Sequence, residues 1–240
     1  MTTIIQKKVN RFYQSIYLTH QVNSSVRINL VKDIYNDSIA GLDVLLYCLL
    51  VRKNQKGWIA NYLDGYIYEM LIVQLSSKVQ KILLQAFNNG IVLLKSQKNI
   101  DYLPLQNFLI NKRFKEANTV TYNILRKLSN VCNTNRSWLY FTDISSLPII
   151  DLHTIDNLWR THSLDKFGFT IQRKIWLSSN RDWNKLWNTI EWQTNYVLCT
   201  YPHEFQWSIH GPVGHLPLFN QLYGIQPLLA LFKHKAWEYS

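Results

Sequence analysis

The histidines, cysteines and paired carboxylates are where chemistry would be expected, and their spacing argues against most of it. His210 and His215, the closest His pair, stand five positions apart on a Gly/Pro loop. That is not the i, i+4 spacing of a helical zinc pair, and no carboxylate ligand pattern accompanies it, so no metal site is expected. Cys48, Cys132 and Cys199 are odd in number and far apart with no C-x-x-C, which speaks against a disulfide framework and for a reducing compartment. Asp151 with Asp156, and Glu204 with His203, are candidate acid–base pairs, but nothing places them near a nucleophile or an oxyanion donor. Catalysis is not expected. The stretch EFQWSIHGPVGHLPLFNQLYG, residues 204–224, is of another kind: Phe205, Trp207, Ile209, Val213, Leu216, Leu218 and Phe219 alternate with the breakers Gly211, Pro212, Gly214 and Pro217. A loop this apolar either folds onto its own domain or presents a wall to a ligand.

The elements that must position this loop are helical by pattern. With 47% hydrophobic and 17% charged residues, the 240-residue chain is globular, and its longest apolar run, Val44 to Val51, is too short to span a bilayer. The N-terminus lacks the features of a secretory signal, so the protein is expected to work in the compartment where it is made. The net charge of +11 is spread over the chain, 11 Lys+Arg against 5 Asp+Glu in residues 1–97 and 15 against 10 in 98–240. This suits a solvated surface or an anionic small molecule better than nucleic acid, although a basic helical RNA-binding or structural protein remains the alternative.

All 6 Pro and 8 of the 9 Trp follow residue 100, a composition shift that predicts an N-terminal helical bundle over 1–97 and a second, all-α domain with long apolar loops over 98–240. In the first, apolar clusters at Ile39, Leu42, Leu45, Leu46 and Leu49, and at Ile59, Tyr62, Leu63, Tyr66, Met70 and Val73, predict helices. In the second, Phe114, Ala117, Thr121, Ile124, Leu125 and Leu128 share one helical face. Asp151 and Asp182 read as caps of further helices. KFGFTIQRKIWL reads as a helix with an irregular start. Pro217 suits the first turn of a terminal helix that Pro227 should kink. Trp138, Trp159, Trp176, Trp187 and Trp192 sit at helical spacing and are expected in the core, and His215 reads as a brace for its loop.

Taken together, YLPLQNFLINKRFKEAN, RSWLYFTDISSLPIIDLHTIDNLWRTHS, KFGFTIQRKIWL and GPVGHLPLFNQL resemble the genomes-uncoupled-four family of porphyrin-binding proteins over residues 101–237. The resemblance implies an all-helical, cupped domain that takes protoporphyrin IX or magnesium-protoporphyrin IX between loops. It also implies a partner, the large porphyrin-binding subunit of magnesium chelatase, which such a protein stimulates without being an enzyme or holding a catalytic cofactor. A monomer in the chloroplast stroma, plastid-encoded, or in a cyanobacterial cytoplasm fits it, and peripheral membrane association is compatible with it. On this reading Tyr201, Phe205 and Trp207 match aromatics of the closing loop, and Leu216 and Leu218 its HLPL segment. Phe141 matches a palm aromatic, and Asn220 a polar residue facing the ligand edge. Arg136 and Arg173 are the family-like cations for the propionates. Tyr223 stands where the family more usually has Arg.

Overall fold

A computed structural model describes residues 13–14, 17, 23–37, 39–73, 77–133, 136–219 and 225–238. Asn220, Leu222 and Tyr223 therefore lie outside the described residues. The chain divides into two compact units, Met1–Leu93 and Leu94–Ser240.

The first unit contains α1 (Ser24–Asp37), α2 (Ile39–Lys53), α3 (Tyr62–Ile72) and α4 (Ser77–Ala86). Leu45, Leu49, Leu63, Ile67, Leu71, Leu83 and Phe87 form its core. The expected face of α3 holds at Leu63 and is otherwise corrected: Ile59 and Val73 are exposed, and Ile67 and Leu71 point inward with Leu63. Asn61 starts this helix with a capping box closed by Asp64, so Ile59 precedes the helix and Val73 ends it. Asp64 is fully buried, yet its carboxylate accepts from Arg52 Nη2 at 3.0 Å, Trp58 Nε1 at 3.2 Å and Tyr17 Oη at 2.9 Å. A buried charge persists only when it is paired and hydrogen-bonded in this way.

The second unit contains α5 (Leu103–Ile110), α6 (Phe114–Leu128), α7 (Phe141–Ser145), α8 (Ile149–His162), α9 (Phe169–Ser178), α10 (Trp183–Thr189) and α11 (Gln226–Phe232). Among the described residues the chain is all-α apart from a two-residue-per-strand hairpin, β1 (Gln193–Thr194) with β2 (Val197–Leu198), paired antiparallel. Its turn puts Asn195 and Tyr196 at φ 51° and 65°, a conformation Asn tolerates and Tyr rarely adopts. Every predicted inward residue of α6 is buried, from Phe114 to Leu128. Phe114 stacks on Trp159 and meets Phe167 edge-on, while Trp159 Nε1 donates to Thr121 Oγ1 at 2.9 Å. Trp176, Trp187 and Trp192 are core as expected, and Trp138 is half-buried.

Asp182 caps α10 through Lys185 N, but two other terminus assignments are corrected. Pro148, not Asp151, precedes α8. Asp151 is fully buried within the first turn, accepting from Ser96 Oγ at 2.5 Å, Gln97 N at 2.8 Å and Tyr102 Oη at 2.8 Å. It ties the entry of the unit to α8. Pro227 lies in the first turn of α11 and does not kink it, because a first-turn residue has no intrahelical partner for its N–H to lose. Pro217 follows a cis peptide in the preceding loop.

Candidate functional site

The apolar loop is anchored by polar side chains of α6, α9 and the turn between α8 and α9. Gln172 of α9 donates through Nε2 to the carbonyls of Gly214 (2.9 Å) and Pro217 (2.8 Å). Asn118 of α6 accepts from Leu218 N at 2.7 Å, and Lys166 Nζ donates to the Ile209 carbonyl at 2.8 Å. Backbone bonds add Gly214 N to the Lys166 carbonyl and Gly168 N to the Leu216 carbonyl. Gly214 is required here: its φ is +84°, and a Cβ would stand 2.7 Å from Ile175 Cδ1 and 2.9 Å from Ile190 Cγ2. These bonds tie the backbone of Ile209, Gly214, Leu216, Pro217 and Leu218 to the helical framework, so this stretch is part of the fold.

This anchoring sorts the predicted wall residues into two sets. Leu216, Leu218 and Phe205 are buried, Phe205 to 5% exposure. Phe205 lies 5.7 Å from the His215 ring and 6.2 Å from Trp207, centroid to centroid. Tyr201 is 43% exposed and meets the half-buried Trp207 edge-on at 5.9 Å, and Trp207 Nε1 donates to the Pro202 carbonyl at 2.9 Å. Sequence reasoning missed the hairpin tip just ahead of them, where Tyr196 is 84% exposed and Val197 and Leu198 are exposed beside it. The Asn195–Tyr196 turn was the one available signal.

Phe141 opens α7 and is 53% exposed next to exposed Tyr140. α7 packs on α11, and α11 on α9. Arg173 of α9 donates through Nε to the carbonyl of Phe232, the last residue of α11, at 2.7 Å. Adjacent residues of one helix thus hold both parts, Gln172 the loop and Arg173 the terminal helix. Arg136 is engaged differently: its guanidinium grips Asp143 with both Nη atoms, at 2.7 and 3.3 Å, and lies 4.4 Å from the Tyr140 ring centroid. The fork holds the Asp143 carboxyl below the usual carboxylate range. Any propionate at Arg136 must compete with that pair.

His215 is buried, and burial pushes its imidazole below the ordinary value of 6.5. Among the described residues no three His, Cys, Asp or Glu side chains are grouped to hold a metal ion, and no helix is long and apolar enough to cross a membrane.

What the fold and the loop define is a helical module, with aromatic surface presented beyond a clamp of side-chain hydrogen bonds. The sequence model of the GUN4-like family matches residues 95–235, and the chain belongs to that family. The protein ycf53 of Pyropia yezoensis is 44% identical over 236 residues, 96% of this chain and 92% of that one. The chloroplastic tetrapyrrole-binding protein of Arabidopsis thaliana is 34% identical over 142 residues, 55% of this chain and 54% of that one. The structure of GUN4 from Chlamydomonas reinhardtii matches with a TM-score of 0.57 at 37% identity, covering 61% of this chain and 94% of that structure.

Proposed function

We propose that the second unit is a tetrapyrrole-binding domain that takes protoporphyrin IX or magnesium-protoporphyrin IX, and that the protein serves chlorophyll synthesis by stimulating magnesium chelatase. The observation that carries this is the GUN4-like match over 95–235, the stretch that holds both aromatic surfaces. A porphyrin is a flat apolar disc with anionic propionates on one edge, so its site needs aromatic walls and cations at the mouth. Tyr201, Trp207 and Phe141 are exposed enough to meet the ring, while Phe205, Leu216 and Leu218 back the wall from the core. Among the described residues Arg173 commits Nε alone, to the Phe232 carbonyl, whereas both Nη atoms of Arg136 hold Asp143, so Arg173 is the better placed to meet a propionate. The protein acts as a monomeric, non-catalytic carrier that associates with the large porphyrin-binding chelatase subunit. By kinship with a chloroplastic relative and one from Synechocystis, its place is the plastid or a cyanobacterial cell.

Titration of the full chain with protoporphyrin IX tests this. The expected result is a shifted, sharpened Soret band with quenching of tryptophan emission, and faster turnover in a magnesium chelatase assay. An unchanged Soret band, together with steeply salt-dependent binding of single-stranded RNA, would establish the alternative.

A further inference from the structure

We infer that His215 is the positioning residue of the porphyrin loop: its neutral imidazole, protonated on Nδ1 and bare on Nε2, sets the direction of Phe205 and Trp207. The inference rests on the porphyrin reading above and adds a residue that holds the wall without forming it.

The ring is almost fully buried and both its nitrogens are used. Nδ1 lies 2.7 Å from the Ile190 carbonyl, which can only accept, so Nδ1 carries the proton. Nε2 lies 3.0 Å from Gln206 N, which can only donate, so Nε2 is bare. The two bonds lock one tautomer, and they join the end of α10 to the loop across the imidazole. Gln206 N belongs to the peptide between Phe205 and the residue before Trp207, so this one bond fixes the backbone from which both rings project. Phe205 then packs against the His215 ring, and the His215 carbonyl accepts from Trp192 Nε1 at 2.8 Å. A second proton would turn Nε2 into a donor facing the Gln206 N–H, and the brace would become a repulsion.

The titratable and charged groups on the surrounding segments include Asp182 and Lys185 of α10, Glu191 and Cys199 at the hairpin, Tyr201, His203, Glu204 and His210 on the loop, and Lys166 ahead of α9. Burial holds the imidazole below its ordinary value, outweighing the Ile190 carbonyl and Glu191, which both favour the imidazolium.

The test compares the full chain with His215→Gln, which keeps an acceptor within reach of Gln206 but cannot titrate, and His215→Phe, which keeps only a ring. Protoporphyrin IX affinity is measured from pH 7.5 to 5.5, and the exchange rate of the Gln206 amide is followed by NMR without porphyrin. At pH 7.5, His215→Phe is expected to bind about 10-fold more weakly, the order of one lost hydrogen bond, and His215→Gln within about 3-fold of the parent. On acidification the parent should lose affinity more steeply than His215→Gln, whose remaining slope reports the propionates. The Gln206 amide should be protected in the parent and lose protection in acid. Parental affinity in His215→Phe, an unprotected Gln206 amide at pH 7.5, or pH curves of parent and His215→Gln that stay parallel where the Gln206 amide has lost its protection would each overturn the inference. If no variant binds porphyrin, the porphyrin reading fails and Gln206 exchange decides the positioning role alone. If His215→Phe does not fold, the parent and His215→Gln decide it.

Discussion

Phe205 and Trp207 are two residues apart in one loop, yet truncating them should have different consequences. A loop that merely walls a ligand would lose affinity and little stability with either ring. The structure changes that expectation for Phe205, which is 5% exposed and packed against His215 and Trp207. Phe205→Ala removes a buried aromatic and leaves a cavity that anchored neighbours cannot fill, costing about 3–5 kcal/mol. Trp207 is half-buried and makes one hydrogen bond, to Pro202. Its truncation loses about 1 kcal/mol for that bond and about 1 kcal/mol of partial burial. Trp187 is the core reference, stacked on Trp192 at 5.3 Å and 11°, and Trp187→Ala should cost about 3–5 kcal/mol. In a unit of this size 1 kcal/mol moves the melting temperature by about 2–4 °C. Phe205→Ala and Trp187→Ala should therefore melt roughly 10 °C below the parent and Trp207→Ala roughly 5 °C below. Protoporphyrin IX titration of the folded proteins completes the assay. Trp207→Ala should weaken binding by about 1–3 kcal/mol, and Trp187→Ala should leave it nearly unchanged. Melting of Phe205→Ala together with the parent would refute the reasoning, because the ring would then contribute nothing to the unliganded fold.

A fragment spanning 98–240 should be less stable to urea than one spanning 94–240 by about 2–4 kcal/mol, since Asp151 loses its Ser96 and Gln97 donors and Thr154 its bond to the Lys95 carbonyl. Gly214→Ala should cost about 2–3 kcal/mol in the same measurement, from its φ of +84° and the contacts with Ile175 and Ile190. Unfolding free energy should decline on acidification below about pH 6.5. Burial depresses both His215 and His234 in the folded state, so their contribution is whole above the unfolded value and is lost as pH falls through the folded one; His215→Gln should flatten part of that slope. Arg173→Ala should weaken protoporphyrin binding by about 1 kcal/mol at low salt and less at physiological salt, whereas Arg136→Ala should chiefly loosen α7 by releasing Asp143.

The helices were legible where one local signal decides them. The α6 face follows from spacing alone, and Asp182 caps α10 because the acceptor it offers and the amide it meets are three residues apart. Asp151 has the same local pattern, but its partners are Ser96, Gln97 and Tyr102, some fifty residues earlier, and tertiary contacts turned a predicted cap into a buried junction. Pro217 and Pro227 were assigned to one helix because sequence gives the constraint on each ring without saying which turn it opens.

The loop shows the limit more sharply. Its aromatic and aliphatic residues were visible as a group, but burial divides the group: Phe205, Leu216 and Leu218 inside, Tyr201 half out. The division is made by Gln172, Asn118 and Lys166, polar side chains that bind loop backbone 42, 100 and 43 residues away. No residue type in the loop reports such bonds, because the groups they engage are carbonyls and amides that every residue carries. Clamping with side chains from neighbouring helices rather than with a strand ladder has a physical consequence. It pairs the backbone at Ile209, Gly214, Pro217 and Leu218 and leaves Tyr196, Val197, Leu198 and Tyr201 facing solvent, so the surface available to an apolar ligand is set by where the clamp ends. A substitution at Gln172 or Asn118, neither of which need touch the ligand, should then move the boundary between core and wall, and with it the affinity.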